Sequence, residues 1–511
     1  MNQEIKQRKL FVGSCTALLV GGMLFAILSA IMNPLKQQFL LTNLQVGWIG
    51  GAGLWGFPIS ILIFGPLCSV LGIRFLLRLS FTVHLLGAIL MMSATNFWML
   101  FFGALIIAFG NGLVEGACNP LVATLFPDQK TAKLNQFHVW FPGGIVVGGL
   151  LCYFLDMIGI TSWRVKIATL IIPTLVYGYI MIMEKFPQTE RAQSGISFGQ
   201  MIKETLGRPL FILLFICMMM TASVELGPNR WISAILEAGG FTGILVLVWT
   251  NVLMATLRNF AGFFAKKLTP VGMLLCSAIL SGIGLYMLSY AERYVTIFIA
   301  DTVFAVGICY FWSTMLGVTS ERVPKGGEFA LALLGAAGNL AVGLLTIPLM
   351  GKVADYYGHE KFDAEKTIAI VREANEFFPT YLTSKPESEK KTIENTSTLV
   401  ATKIVNVSEG EKKIIENILK ETKEIEEYYN KEKTLPRIKT AQLMRSILLV
   451  APEDSPISKS AKELLNPADL HGGRIALRFV PILCIILTII FGSIFIRDRM
   501  QGGYKAEKIT A

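Results

Sequence analysis

The chain is short of charge. Of its 511 residues only 16% are Asp, Glu, Lys or Arg, while 53% are hydrophobic; ordinary soluble domains carry about 25% charged residues. A water-soluble globule of this size cannot hide so much apolar side chain, which excludes a soluble enzyme. Histidine is scarce, with four scattered residues. No GxxxxGK followed by Ser or Thr occurs, and no HExxH, so the marks of an ATP-driven pump and of a zinc hydrolase are missing. The eight cysteines, Cys68 and Cys118 among them, all fall in apolar runs without CxxC spacing. They read as small buried hydrophobes, and neither a metal nor a cofactor is expected. Gly51, Gly53 and Gly56 fit GxGxxG inside an apolar run, where close helix packing explains them better than a nucleotide. Gly195 to Gly199 fits GxSxG without the strand-to-helix setting that motif needs.

What the chain has in abundance is long apolar runs. A bilayer core of about 30 Å takes roughly 20 apolar residues per helix. Such runs begin near Leu10, Val46, Phe75, Phe97, Phe137 and Val165, and again near Leu210, Phe241, Val271, Val295 and Phe329, with a last one from Ile475 to Ile496. The reading is an all-α membrane protein of twelve transmembrane helices in two pseudo-symmetric six-helix halves. The first run is too long for a signal peptide. The expected domains are residues 1–183, a linker 184–208, helices seven to eleven in 209–358, an insert 359–474, and helix twelve with a tail in 475–511. The halves echo each other: Gly65 and Gly262, like Pro127 and Pro324, are 197 residues apart. Parallel halves around a midplane site are a transporter arrangement.

The net charge of +10 resolves along the chain. Residues 360–474 hold 19 basic and 20 acidic residues, so the excess lies in the apolar part, where a lipid surface and not nucleic acid is the natural partner. Lys130, Lys133, Arg191, Arg208, Arg322 and Arg497 are among the basic residues collected by loops of one side. By the positive-inside rule that side and both termini are cytoplasmic, and the insert is external. The expected location is a plasma membrane, a bacterial inner membrane, with the chain a monomer.

Few polar residues remain inside the runs, and an ionisable one there is by default functional. Asn111, Glu115 and Asn119 recur at i, i+4 and share one helix face; Glu115 suits a group that takes up and releases a proton, the alternative being an interhelical clamp. Asn135 and His138 open the fifth run. In the seventh, Glu225 and Asn229 stand beside Arg230 and Trp231, and Pro228 is expected to break the helix. Arg258 reads as snorkelling to the surface, Asp301 as solvated near the outer end, and His84 as a residue without a partner. Tyr310 and Trp312 suit stacking on the apolar face of a sugar, or plain packing.

With those residues in view, the chain resembles the major facilitator superfamily, and within it the fucose permease and glucose/galactose transporter group. The resemblance rests on Gly110 to Pro120 followed by Leu134-Asn135, where an acidic residue precedes Asn-Pro by four positions and Leu-Asn opens the next helix. It implies that Glu115 couples an ion, proton or sodium, to uptake of a small solute, most simply a monosaccharide. It places Asn119, Asn135, His138, Glu225, Asn229, Trp231, Arg258, Tyr310 and Trp312 around the cavity. Gly65, Gly72 and Arg74 match the superfamily's gating signature after helix two, but Ser69 and Val70 replace its charged pair. The group's first-helix aspartate is also missing: the first run has no acidic residue. Gly351, Asp355 and Gly358 resemble another signature of the superfamily.

The insert alone reads as water-soluble. Ile414, Ile415, Ile418, Leu419 and Ile425 mark an amphipathic helix over 409–433, with shorter ones over 364–378 and 441–450. Asn395 and Asn406 open glycosylation sequons. Two rivals keep most of these features: an exporter of drugs or metabolites on the same fold, and a non-transporting receptor or assembly protein working through the insert.

Overall fold

A computed structural model describes residues 6–39, 41, 43–383, 409–452 and 454–507. Among these the regular structure is helical, without a strand. Lipid offers no hydrogen bonds, so an apolar run must satisfy its backbone within itself, and helices do so. Contacts divide the chain into two units: residues 1–237, 241–350 and 476–511, and residues 238–240 with 351–475.

The first unit begins with α1 (Gln7–Phe39), α2 (Asn43–Phe64), α3 (Ile73–Met92) and α4 (Phe97–Leu125). A fifth stretch is interrupted at Val139 into α5 (Lys130–His138) and α6 (Trp140–Met157), and α7 (Ile171–Met183) closes the half. After a polar bridge come α8 (Pro209–Ala238), then α9 (Gly243–Asn259) bent by 64° into α10 (Ala261–Leu268). Next are α11 (Pro270–Leu288) and a stretch interrupted at Cys309 and Tyr310 into α12 (Tyr294–Ile308) and α13 (Phe311–Arg322). They are followed by α14 (Gly327–Ala341), by α15 (Ile347–Gly358), whose residues from 351 on belong to the second unit, and, past the insert, by α20 (Pro481–Met500).

By length and composition ten of the described helices can cross a membrane; the bent α9–α10 pair makes eleven, and the apolar part of α2, Trp48–Phe64, is shorter. Pro228 does not break its helix: α8 continues through it. In lipid, neighbouring groups re-satisfy what a proline frees.

The internal repeat is visible in the backbone. The residues leading into the turns after α4 and α13, Phe126 and Val323, have φ/ψ of −131°/65° and −130°/52°, and a short 3₁₀ turn follows each at Pro127 and Pro324. Their separation is the 197 residues read from the sequence.

The second unit holds α16 (Ala364–Thr383), α17 (Glu409–Glu432), α18 (Arg437–Val450) and most of α19 (Pro456–Phe479). Phe378, Ile415, Ile418, Ile425, Leu443 and Ile447, all 0% exposed, form its core. Arg445 pairs with both Asp355 and Asp469. Burial pushes the Asp469 carboxyl up, against the pull of that guanidinium. Asn395 and Asn406 lie outside the described residues.

Candidate functional site at the seam of the two halves

Arg258 is the centre of the buried polar network. It does not snorkel: it is 2% exposed, and its guanidinium makes three bonds. Nη2 donates to Glu225 Oε1 at 2.9 Å, Nε to the Cys309 carbonyl at 2.7 Å, and Nη1 to the His138 carbonyl at 3.0 Å. Both carbonyls sit at helix interruptions. The His138 oxygen would ordinarily accept from the fourth residue on, which is Pro142 and has no N–H. Cys309 precedes α13, where the regular ladder restarts. Broken spans thus expose backbone acceptors inside protein, where Arg258 takes them up.

Glu225 is fully matched. Its second oxygen accepts from the backbone N–H of Trp312 at 3.1 Å, in the first turn of α13, so the carboxylate meets a guanidinium and the positive end of a helix together. Glu115 is in a different position. It accepts from Asn119 Nδ2 at 3.2 Å, and Asn119 Oδ1 lies 3.1 Å from His138 Nε2. An amide oxygen only accepts, so His138 donates there. The Trp312 side chain adjoins the Glu115 carboxyl, and its buried indole N–H has no acceptor at hydrogen-bond geometry. Asn111 departs from this group and lies against Gly21. His84, far from lacking a partner, bonds Tyr177 through Nδ1 at 2.8 Å.

From His138 toward the basic end of the bundle, α5 and α13 are clamped together. Asn135 accepts from Ser313 Oγ at 2.6 Å and donates to Thr314 Oγ1 at 3.0 Å. Thr131 donates through backbone and hydroxyl to Glu321 Oε1 at 2.9 and 2.8 Å. Gly317 allows the approach: a Cβ there would stand 2.7 Å from Thr131 Cα. The other seam, α2 against α14, is apolar, and a Cβ on Gly65 would lie 2.4 Å from that of Ala332. Gly72 takes φ +88° at the turn into α3, a conformation that favours glycine. Arg74 donates to the Ile182 carbonyl at 2.7 Å, a bond within the N-terminal half.

Where the gating signature lacks its charged pair, the polar bridge supplies one. Arg191 reaches Ser69, the Ile196 carbonyl and, at 3.0 Å, Glu328 at the start of α14. Its neighbour Glu190 accepts from Lys130 Nζ at 2.6 Å and donates its backbone N–H to Thr124. Arg191 and Glu328 are 6% and 1% exposed. Sequence reading missed these residues, because an arginine in a polar linker looks solvated.

Of the expected cavity residues, the structure brings Asn119, His138, Glu225, Arg258 and Trp312 into one network with Glu115. Asn135 belongs to the clamp below it. Tyr310 donates its hydroxyl to the Leu257 carbonyl at 2.7 Å. Asn229 and Trp231 are half-buried further along α8 and outside the network. Among the described residues no cluster of His, Cys, Asp and Glu fits a metal ion.

The sequence pattern of the Major Facilitator Superfamily matches residues 10–346. The chain belongs to that superfamily. Within it, the cis,cis-muconate transport protein of Acinetobacter baylyi is 27% identical over 280 residues, covering 50% of this chain and 66% of that protein. The D-xylose transporter of Levilactobacillus brevis is 26% identical over 172 residues, covering 32% and 37%. These alignments thus span less than two thirds of either relative. Solved structures share the superfamily fold: the E. coli fucose:proton symporter superposes with a TM-score of 0.57 at 18% identity, over 68% of this chain and 92% of that one. The proton:xylose symporter XylE gives 0.58 at 16%, over 68% and 89%. What the chain shares with these proteins is the superfamily and its fold.

Proposed function

We propose that this transporter imports a small hydroxylated solute, a monosaccharide, by alternating access coupled to a proton or sodium ion. The observation that carries the reading is the contrast between the two buried carboxyls. Glu225 is balanced by Arg258 and the start of α13, whereas Glu115 has one amide donor and an adjoining unsatisfied indole N–H. A carboxyl so placed suits a group that gains and loses a cation as the halves rock. The orphan Trp312 donor, His138 and Asn119 suit the hydroxyls of a sugar, and the relatives named for xylose support that substrate. On this reading the basic loops face the cytoplasm, the insert faces outward, and the α5–α13 clamp and the Arg191 latch close the inner side.

A second reading, uptake of an organic acid, is favoured by Arg258 and by the muconate relative. Labelled hexoses, xylose and muconate, offered to proteoliposomes under imposed proton and then sodium gradients, separate the two. Glu115→Gln is expected to abolish uphill uptake while exchange of labelled solute persists; uphill uptake surviving in that variant would overturn the coupling role. Removing residues 360–474 tests the receptor alternative, since uptake without the insert places the work in the helices.

A further inference from the structure

Asp301 is a carboxyl that the network around Arg258 does not use. It lies seven residues into α12 and is 0% exposed. Both oxygens meet one hydroxyl: Thr250 Oγ1, on α9, is 2.9 Å from Oδ1 and 2.8 Å from Oδ2. The same hydroxyl lies 3.0 Å from the Val246 carbonyl. A threonine hydroxyl owns one proton, and two acceptors claim it here. The inventory balances when the missing proton is on the carboxyl, so that Asp301 donates to Thr250 and Thr250 donates to Val246.

No neighbouring charge changes this count. α12 packs on α9 and α11. α11 carries no Asp, Glu, Lys, Arg or His; its titratable groups are Cys276 and the exposed Tyr286. The one charge of α9 is Arg258, whose guanidinium is held by Glu225, Cys309 and His138. α12 itself adds only Tyr294 at its start. Among the described residues an ionised carboxylate would have a shared hydroxyl as its sole hydrogen-bond partner, an expensive arrangement for a fully buried group. The register also links this pair to the site. Thr250 precedes Arg258 by eight residues and Asp301 precedes Cys309 by eight, so the two contacts lie on one α9–α12 seam, about 12 Å apart.

We propose that Asp301 and Thr250 form a second proton-binding site of this transporter, with Asp301 the binding group and Thr250 its positioning partner. It supplies the C-terminal half with a carboxyl that complements Glu115 in the N-terminal half, in a chain whose first span has none. The site does not depend on which solute is carried.

The test is infrared difference spectroscopy on the purified full-length protein across a pH titration, which needs no substrate. Because Glu115 is itself a candidate proton group, the comparison is made without it: Glu115→Gln is expected to show the carbonyl stretch of a buried protonated carboxyl that vanishes at high pH, and Glu115→Gln/Asp301→Asn is expected to lack it. In the Glu115→Gln background Thr250→Val, which removes the partner without touching the acid, should move the midpoint by about one pH unit, a tenfold change in proton affinity. In proteoliposomes Asp301→Asn should flatten the pH profile of uptake. If the vanishing band survives in Glu115→Gln/Asp301→Asn, or if the pH profile of uptake by Asp301→Asn is that of wild type, Asp301 is only a hydrogen-bond clamp and the proposal fails. A uniport result for the wild type would bear on Glu115 and leave the infrared outcome standing.

Discussion

Arginine at position 258 does what lysine cannot. Its planar fork reaches a carboxylate and two carbonyls on three different elements, and no single ammonium group matches that geometry. Arg258→Lys should therefore lose two of three charge-assisted bonds, each worth about 1.5–3 kcal/mol, and uptake should fall at least tenfold although the charge is kept. Arg258→Met leaves Glu225 buried and unpaired at a cost of about 3–5 kcal/mol, which thermal unfolding of the purified protein would register. Glu225→Gln in the Met background should recover part of that loss by removing the orphaned charge. The pairing was not legible in the sequence. Glu225 and Arg258 are 33 residues apart on different helices, and a lone basic residue late in an apolar run is ordinarily a surface anchor. Glu115 and Asn119 were legible, because i, i+4 spacing is a local property.

Among elements, the interruptions matter as much as the helices. α5–α6 and α12–α13 each break near the middle of an apolar stretch, and the freed carbonyls of His138 and Cys309 become the ligands of Arg258. Pro142 was the signal for the first break, standing after the gap rather than in it; Pro228, the more conspicuous proline, interrupts nothing. The latch from the polar bridge is likewise an element-scale device. Cys68, 0% exposed, lies beside it, and burial holds its thiol well above the ordinary range, which keeps it unreactive. In a variant whose other cysteines are replaced by serine or alanine, Arg191→Ala should turn Cys68 from inert to rapidly labelled by maleimide. Unchanged labelling would mean that Arg191 does not hold this end shut. Gly317→Val should act on the polar clamp in the same sense, since its side chain has no room against Thr131.

For the whole molecule, two units with separate cores predict two transitions. Phe378→Ala removes the largest buried side chain of the insert core and should lower the insert's stability by about 3–5 kcal/mol, while the melting of the helical bundle stays put; a single shared transition would show that the two unfold as one. The insert helices were legible because water sets one face of each apart from the other. The membrane runs were legible as helices and in their order, but bends and interruptions left no trace in hydropathy. The repeat carries one consequence more. A shift of 197 residues maps Thr131 onto Glu328 and Thr124 onto Glu321, so a perfectly two-fold molecule would make the Thr131–Glu321 contact twice. It makes it once. On the other side Glu190 bonds Thr124 and Arg191 bonds Glu328, a dipeptide standing where the direct contact is absent. Closing this end is thus half self-association of the bundle and half capture of a tethered ligand, whose effective concentration is set by the length of the bridge. Lengthening the bridge with Gly-Ser residues should loosen the latch with every other contact intact.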